Sequence, residues 1–278
     1  MLFSTGSFFM GTIRSQARPK TRARRRYVTM RTLATPLALI VLIAMWELIA
    51  WLGQYPSFLL PTPREVAARF GVALADGSLL RHTAITLGEV FGGLALGLTV
   101  ATVLGYLLAK STLLEQILSP YIVASQAVPI VALAPLLVIW FGVGSLSKVL
   151  VCALTLFFPV LMNTIVGIRN VDRDLLELMR SLRASRWQVF YHLELPAALP
   201  VLMSGLKVGV TLSVIGAVVG EFVGSDRGLG FLVNLARGLF DTPLMFVALL
   251  TLMAIALALY GLVVLIERRV LKWQSQEG

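Results

Sequence analysis

The sequence predicts an all-α fold: a polytopic membrane helix bundle of about six transmembrane helices. Hydrophobic residues fill 58% of its 278 positions and charged residues only 14%, whereas a soluble domain carries about 25% charged residues. Mean hydropathy is +0.86. The apolar residues also fall into six stretches, at about 36–53, 84–109, 120–141, 148–168, 200–223 and 243–266. Each approaches the roughly 20 residues that a helix needs to cross a hydrocarbon core about 30 Å thick.

The chain opens with eight basic residues before Thr35 (Arg14, Arg18, Lys20, Arg22, Arg24, Arg25, Arg26 and Arg31) and no acid among them. These supply most of the formal net charge of +10. Beside an apolar helix such a run orients the chain and contacts anionic membrane lipid. No stacking-aromatic or recognition-helix pattern follows it, so nucleic acid is not the expected partner. Residues 1–35 read as a basic cytoplasmic tail, disordered before Met30, and residues 36–278 as the transmembrane domain. Met30 is an alternative start. The first stretch runs on as Trp51-Leu52-Gly53-Gln54 with no small-residue cleavage site, which predicts an uncleaved anchor.

Six spans then place both termini in the cytoplasm, where Arg268, Arg269 and Lys272 close the last one. Segments 54–83, 142–147 and 224–242 fall outside. Residues 169–199 fall inside with five arginines.

Small residues mark the expected helix contacts: Gly88/Gly92 and Gly93/Gly97 in the second span, Gly205/Gly209 and Gly216/Gly220/Gly224 in the fifth. At this spacing backbones approach closely in lipid. Pro129, Pro135 and Pro159 interrupt the third and fourth spans. A broken hydrogen-bond ladder needs protein or a water-filled cavity to satisfy it, which makes these spans candidates for lining a path. A simple packing kink explains any single proline equally well.

Ionisable residues within spans are costly, about 2.5 kcal/mol or more at the centre, and default to functional candidates. Glu47, Glu89, Lys207 and Glu221 qualify. Glu89 and Glu221 lie near the outer ends of their spans, where water is expected. Lys207 can snorkel inward, pair with a carboxylate or meet an anionic solute. Pro129, Pro135, Lys207 and Glu221 form the candidate pathway set. The single Cys152 sits in an apolar run and excludes an internal disulfide. His82 and His192 fall in loops with no evident partner, and no metal constellation is expected.

The segment 170–199 is too long for a bundle connection, which usually runs 2–8 residues. Asp174 with Glu177 suggests a capping box, followed by Leu175, Leu178, Met179 and Leu182 at helical spacing. Ser185 with Gln188 forms a second box, and Pro196 is expected to end the helix that follows. Pro200 would open the fifth span. The pattern predicts two amphipathic helices meeting near residues 183–185. Exposed Glu177, Arg180, Arg183 and Arg186 suit docking into another protein's groove. A pair held on the membrane surface by anionic lipid is the other reading.

This segment resembles the EAA loop of ABC importer permeases, whose pattern runs Glu-Ala-Ala, a spacer, Gly, a longer spacer, then Ile-x-Leu-Pro. Glu177 takes the Glu place and Leu195-Pro196 the Leu-Pro place, without a gap. Leu178 and Met179 replace the alanines, Leu193 the isoleucine and Arg183 the glycine. The last change is expected to work against the sharp turn. Ala184-Ser185-Arg186-Trp187, Leu60-Pro61-Thr62-Pro63-Arg64-Glu65-Val66 and Gly220-Glu221-Phe222-Val223-Gly224 with Gly228-Leu229-Gly230 are similar to the sulfonate, taurine, nitrate and pyrimidine-precursor permeases.

The resemblance implies a type I importer permease in a bacterial inner membrane. Its expected assembly has two permease copies, two cytoplasmic ATPases and an extracytoplasmic binding protein that delivers a small solute. It further implies that Glu177, Arg180, Ser181, Arg183, Ala184, Ser185, Arg186 and Trp187 couple to the ATPase. No catalytic residue and no cofactor are expected on this chain, with ATP on the partner. Lys110-Ser111 lacks the glycines of a phosphate-binding loop, and Gly228-x-Gly230 lacks the preceding strand. An ion-coupled secondary transporter, a membrane-embedded enzyme and a scaffold are the rival readings.

Overall fold

The computed structural model describes residues 21–272, with side chains from residue 37. Among the described residues every regular element is helical. Residues 1–20, the first part of the expected tail, lie outside them. Helix α1 spans Thr21–Gly53, so the basic residues from Arg22 to Arg31 belong to the helix that continues into the first apolar stretch. It forms a separate unit ending at Gln54.

The second unit begins at Tyr55. Its first helix, α2 (Pro63–Ala75), lies in a segment expected to be an external loop. Thr62 and Glu65 close a capping box and Pro63 fills the first turn, where a missing N–H costs nothing. Helix α3 (Ser78–Lys110) is the second span, starting six residues earlier than its apolar stretch.

The third expected span is not one straight helix. Helix α4 (Thr112–Gln126) and helix α5 (Ile130–Phe141) meet at a 96° bend. Pro129 sits at the bend with φ −65° and ψ 125°. Its ring pushes the preceding residue out of the helical region, and its nitrogen cannot donate. Pro120 and Pro135 are inside α4 and α5.

Helix α6 (Ser145–Arg169) is the fourth span, with Pro159 inside it. A short α7 (Arg173–Ser181) and α8 (Arg186–Val189) follow. A five-residue π turn (Phe190–Glu194) then leads into α9 (Leu195–Gly224). Helix α10 (Leu229–Gly238) occupies the third expected external loop, and α11 (Thr242–Val270) is the last span.

By length and composition α3, α6, Arg186–Gly224 and α11 can each cross a membrane, and the α4–α5 pair makes a fifth if it is one span. The apolar part of α1, Leu37–Gly53, is shorter.

The packed centre is α6, flanked by α3 and α9. Val151, Cys152, Leu156, Val160 and Leu161 of α6 are buried there. Contact is close because glycines face it from both sides. A Cβ on Gly93 would overlap the Cβ of Cys152, and one on Gly216 would lie 2.8 Å from the Cys152 Cα. No side chain fits at either glycine, so the backbones of α3 and α9 press directly on α6, which is how small residues let helices associate in lipid. Gly88 instead faces open space. Helix α5 joins this centre through Ala134 and Leu137, which pack on Val151.

Candidate functional site

The segment between α6 and α9 forms the expected helix pair, with its own caps. Asp172, not Asp174, caps α7: its carboxylate accepts from the Asp174 N–H at 2.9 Å. The chain then reverses in a C-terminal motif closed by two bonds. Arg183 N–H donates to the Arg180 carbonyl (2.9 Å) and Ala184 N–H to the Met179 carbonyl (3.0 Å). Arg183 therefore adopts φ +54°, the left-handed conformation in which glycine is usual. The sharp turn forms despite the arginine. Ser185 and Gln188 then complete the capping box of α8, at 2.7 and 3.3 Å.

Holding an L-residue left-handed costs about 1–2 kcal/mol. That exceeds the flexibility glycine adds to the unfolded chain. Arg183→Gly is thus expected to firm the turn by about 0.5–1 kcal/mol. Slower amide exchange at Ala184 is the measurement that checks it.

Glu177, Arg180, Ser181, Arg183, Ser185, Arg186 and Trp187 are exposed and Ala184 is half-buried. Apolar side chains are open on the same pair: Leu175, Leu178, Leu182 and, at 71%, Trp187. These leucines, at helical spacing along α7, find no core in this subunit.

The second helix of the pair does not stop at Pro196. Leu195 N–H closes the π turn on the Phe190 carbonyl, and the helix continues through Pro196 and Pro200 to Gly224. Pro196 lies in the first turn after the π turn, where the widened ladder tolerates its missing donor. Helix α8 is therefore continuous with α9, from Arg186 to Gly224, and α7 joins it through the turn at Arg183.

The π turn aims Glu194 inward, where its carboxylate accepts from Lys110 Nζ and from the Tyr106 hydroxyl at 3.1 Å. Phe190 meets the Tyr106 ring edge-on at 5.4 Å. This link between α3 and the helix pair was not foreseen. Its only sequence signal was an acid beside Leu195-Pro196. His192 lies in the π turn, with Nδ1 3.0 Å from the Gln188 carbonyl.

The four pathway candidates stand apart from one another in the chain. Pro129 caps α5 at the bend and Pro135 lies inside that helix. Lys207 pairs with Glu267 of α11 at 2.7 Å, both side chains about one-fifth exposed.

Glu221 belongs to a buried polar cluster at the opposite end of α9 from the helix pair. It is only 1% exposed, and Glu89 only 3%, so water does not bathe either carboxylate as expected. Glu221 accepts from the Thr86 hydroxyl (2.7 Å) and from the N–H groups of Gly230 and Phe231. Thr86 in turn accepts from Leu229 N–H at 2.8 Å, and His82 from Gly228 N–H at 2.9 Å. His82 lies in α3 rather than in a loop. Gly228 has φ +104°, and a Cβ there would strike the Glu221 carboxylate. The Gly228-Leu229-Gly230 motif is thus a backbone cradle for a buried acid. Lys148, also buried, donates from Nζ to the carbonyls of Val143 and Gly224.

A bundle with a bent apolar helix pair and a capped, charge-studded helix pair leading into one long apolar helix defines the class: a polytopic membrane protein. Residues 93–272 match the model of the binding-protein-dependent transport system inner membrane component, and the chain belongs to that family. It is 48% identical over 257 residues to the riboflavin transport system permease protein RibX of Chloroflexus aurantiacus, covering 92% of this chain and 96% of that one. It is 34% identical over 265 residues to the putative aliphatic sulfonates transport permease protein SsuC of Bacillus subtilis, covering 95% of each. Its fold is similar to that of the MetNI methionine ABC transporter in an inward-facing conformation, with a TM-score of 0.55 and 20% identity over 67% of this chain and 91% of that one. The chain is therefore a transport permease of the ABC importer family.

Proposed function

We propose that this chain forms the path of an ATP-driven importer whose motor is a separate ATPase seated on the α7–α8 pair. The observation that carries the proposal is the continuity of α8 with α9. Exposed Glu177, Arg180, Arg183, Arg186 and Trp187 offer charge and apolar area to a groove, and any displacement of α8 is transmitted along the 39-residue helix Arg186–Gly224. Two such chains around one path, two ATPases and an extracytoplasmic binding protein complete the assembly. The ATPases would draw the two pairs together on binding ATP and release them on hydrolysis, an alternation of rigid bodies.

The basic residues of the first helix would lie against anionic lipid, with both termini cytoplasmic. The solute is a small molecule of the kinds for which the relatives are named, riboflavin and aliphatic sulfonates among them. In the test, the tagged chain is extracted from its native membrane under mild conditions. An ATP-hydrolysing subunit is expected to co-purify, and reconstituted vesicles should take up solute only with ATP. Uptake by vesicles free of any nucleotide hydrolase overturns the proposal.

A further inference from the structure

The helix that runs from α8 into α9 contains a natural hinge. Its π turn, Phe190–Glu194, widens the hydrogen-bond ladder, and neither Pro196 nor Pro200 can donate to it. Helices bend at such places. Packing on the bundle side is incomplete as well. A cavity of about 490 Å³ opens there, with Val103 and Leu107 of α3, Thr164 and Ile168 of α6, and Arg186 and Trp187 of α8 among its walls. A push on an unbraced α8 would flex the helix into this space and leave α9 where it was.

One carboxylate supplies the brace. Glu194 ends the π turn, is only 2% exposed, and accepts from Lys110 Nζ and from the Tyr106 hydroxyl. These donors stand one turn apart at the end of α3. Phe190, at the start of the π turn, meets the Tyr106 ring edge-on, and the Lys110 ammonium lies 5.8 Å from the centre of that ring. Both ends of the π turn are thus tied to the last turn of α3.

That turn is itself held. Arg169, which ends α6, donates to the Leu108 carbonyl at 3.3 Å and to both oxygens of Glu115 on α4 at 2.7 and 2.6 Å. Buried Glu194 adds nothing to the exposed surface that docks a motor, so its pair acts inside the subunit.

We propose that Glu194 is a positioning residue of transport. Its tie to Lys110 and Tyr106 stiffens the π turn, so that displacement of α8 moves α9 and α3 together instead of bending the helix. This rests on the importer reading and adds the joint through which the stroke enters the bundle.

The test uses the full-length chain with its co-purified ATPase in nanodiscs. Hydrogen exchange along the permease is compared with and without ATP and vanadate, which trap the closed ATPase. In the wild type, trapping is expected to change exchange in α8 and also at the far end of α9, over residues 221–231. In Glu194→Leu the α8 response should remain while the far-end response falls about tenfold, the loss of one coupling between two sites. Lys110→Met breaks the same tie from α3 and should do likewise, whereas Lys110→Arg should keep the wild-type response.

A far-end response of wild-type size in Glu194→Leu overturns the proposal, as does a wild type that responds at α8 alone. A wild type that responds nowhere, or that brings no ATPase with it, overturns the importer reading and the proposal with it. Thiol labelling of buried Cys152 shows whether each variant is folded. Where Glu194→Leu exposes Cys152 or sheds the ATPase, Lys110→Met is compared with Lys110→Arg, and equal far-end responses in those two overturn the proposal.

Discussion

Replacing Glu221 with alanine is expected to destabilise the bundle by about 3 kcal/mol. The carboxylate is 1% exposed and receives the Thr86 hydroxyl and two backbone N–H groups. Removing it leaves the N–H groups of Gly230 and Phe231 buried without acceptors. It also leaves a void against Gly228, where no side chain fits. The three losses are not additive, and relief from the neighbouring Glu89 offsets part of them.

Glu221→Gln separates these effects. Its amide oxygen can still accept from the backbone, while its NH₂ group faces a Thr86 oxygen that already accepts from Leu229. Roughly half the alanine effect is expected. Cys152 supplies the measurement, because this lone thiol lies buried between α3 and α9. Maleimide labelling of Cys152 on heating should begin at a lower temperature in Glu221→Ala than in Glu221→Gln, and in both before the wild type. Equal onset in all three would show that the cradle contributes nothing to holding α9 and α10 against α3.

The glycine pattern made part of this fold legible. Spacings of four in the second and fifth spans announced close packing, and Gly93, Gly97, Gly205 and Gly216 all contact α6. What the pattern could not reveal was the partner. Nothing in one dimension says that Gly93 and Gly216 face the same cysteine.

The caps of the helix pair were partly legible too. Ser185 and Gln188 act as their spacing suggests. The cap of α7 slipped by two residues because Asp172 and Asp174 are equivalent by composition and only backbone geometry chooses between them. Helices α2 and α10 were missed for different reasons. Thr62-Pro63-Arg64-Glu65 carried a complete start signal that low local hydropathy obscured, whereas α10 begins at a glycine with no side-chain cap. The π turn and Glu194 were illegible, since a proline reads as a helix end unless the ladder around it widens.

Glu177→Lys is expected to leave the fold intact and disable transport. Glu177 is exposed, and its carboxylate joins no ion pair among the described residues, so its loss should shift stability by no more than about 0.5 kcal/mol. Asp172 at the cap of α7 and Asp174 in its first turn precede Glu177, and Arg180, Arg183 and Arg186 follow it on the same helix pair. Glu177 thus stands where the charge of the pair changes sign and helps specify register: a partner groove must answer it with a cation while answering the arginines with anions. Lysine sets like charge against like, at a cost of several kcal/mol. About 2.8 kcal/mol of that cost weakens ATPase binding roughly a hundredfold.

Solute uptake should fall in proportion to lost ATPase occupancy, while Cys152 stays as slow to label as in the wild type. A compensating charge reversal on the ATPase should restore uptake, because the defect lies in register and not in the lever. If instead the anionic membrane surface were what holds the pair, an added lysine would tighten it and leave uptake unchanged. The sign of the change in uptake therefore distinguishes a protein groove from a lipid surface as the partner of α7 and α8.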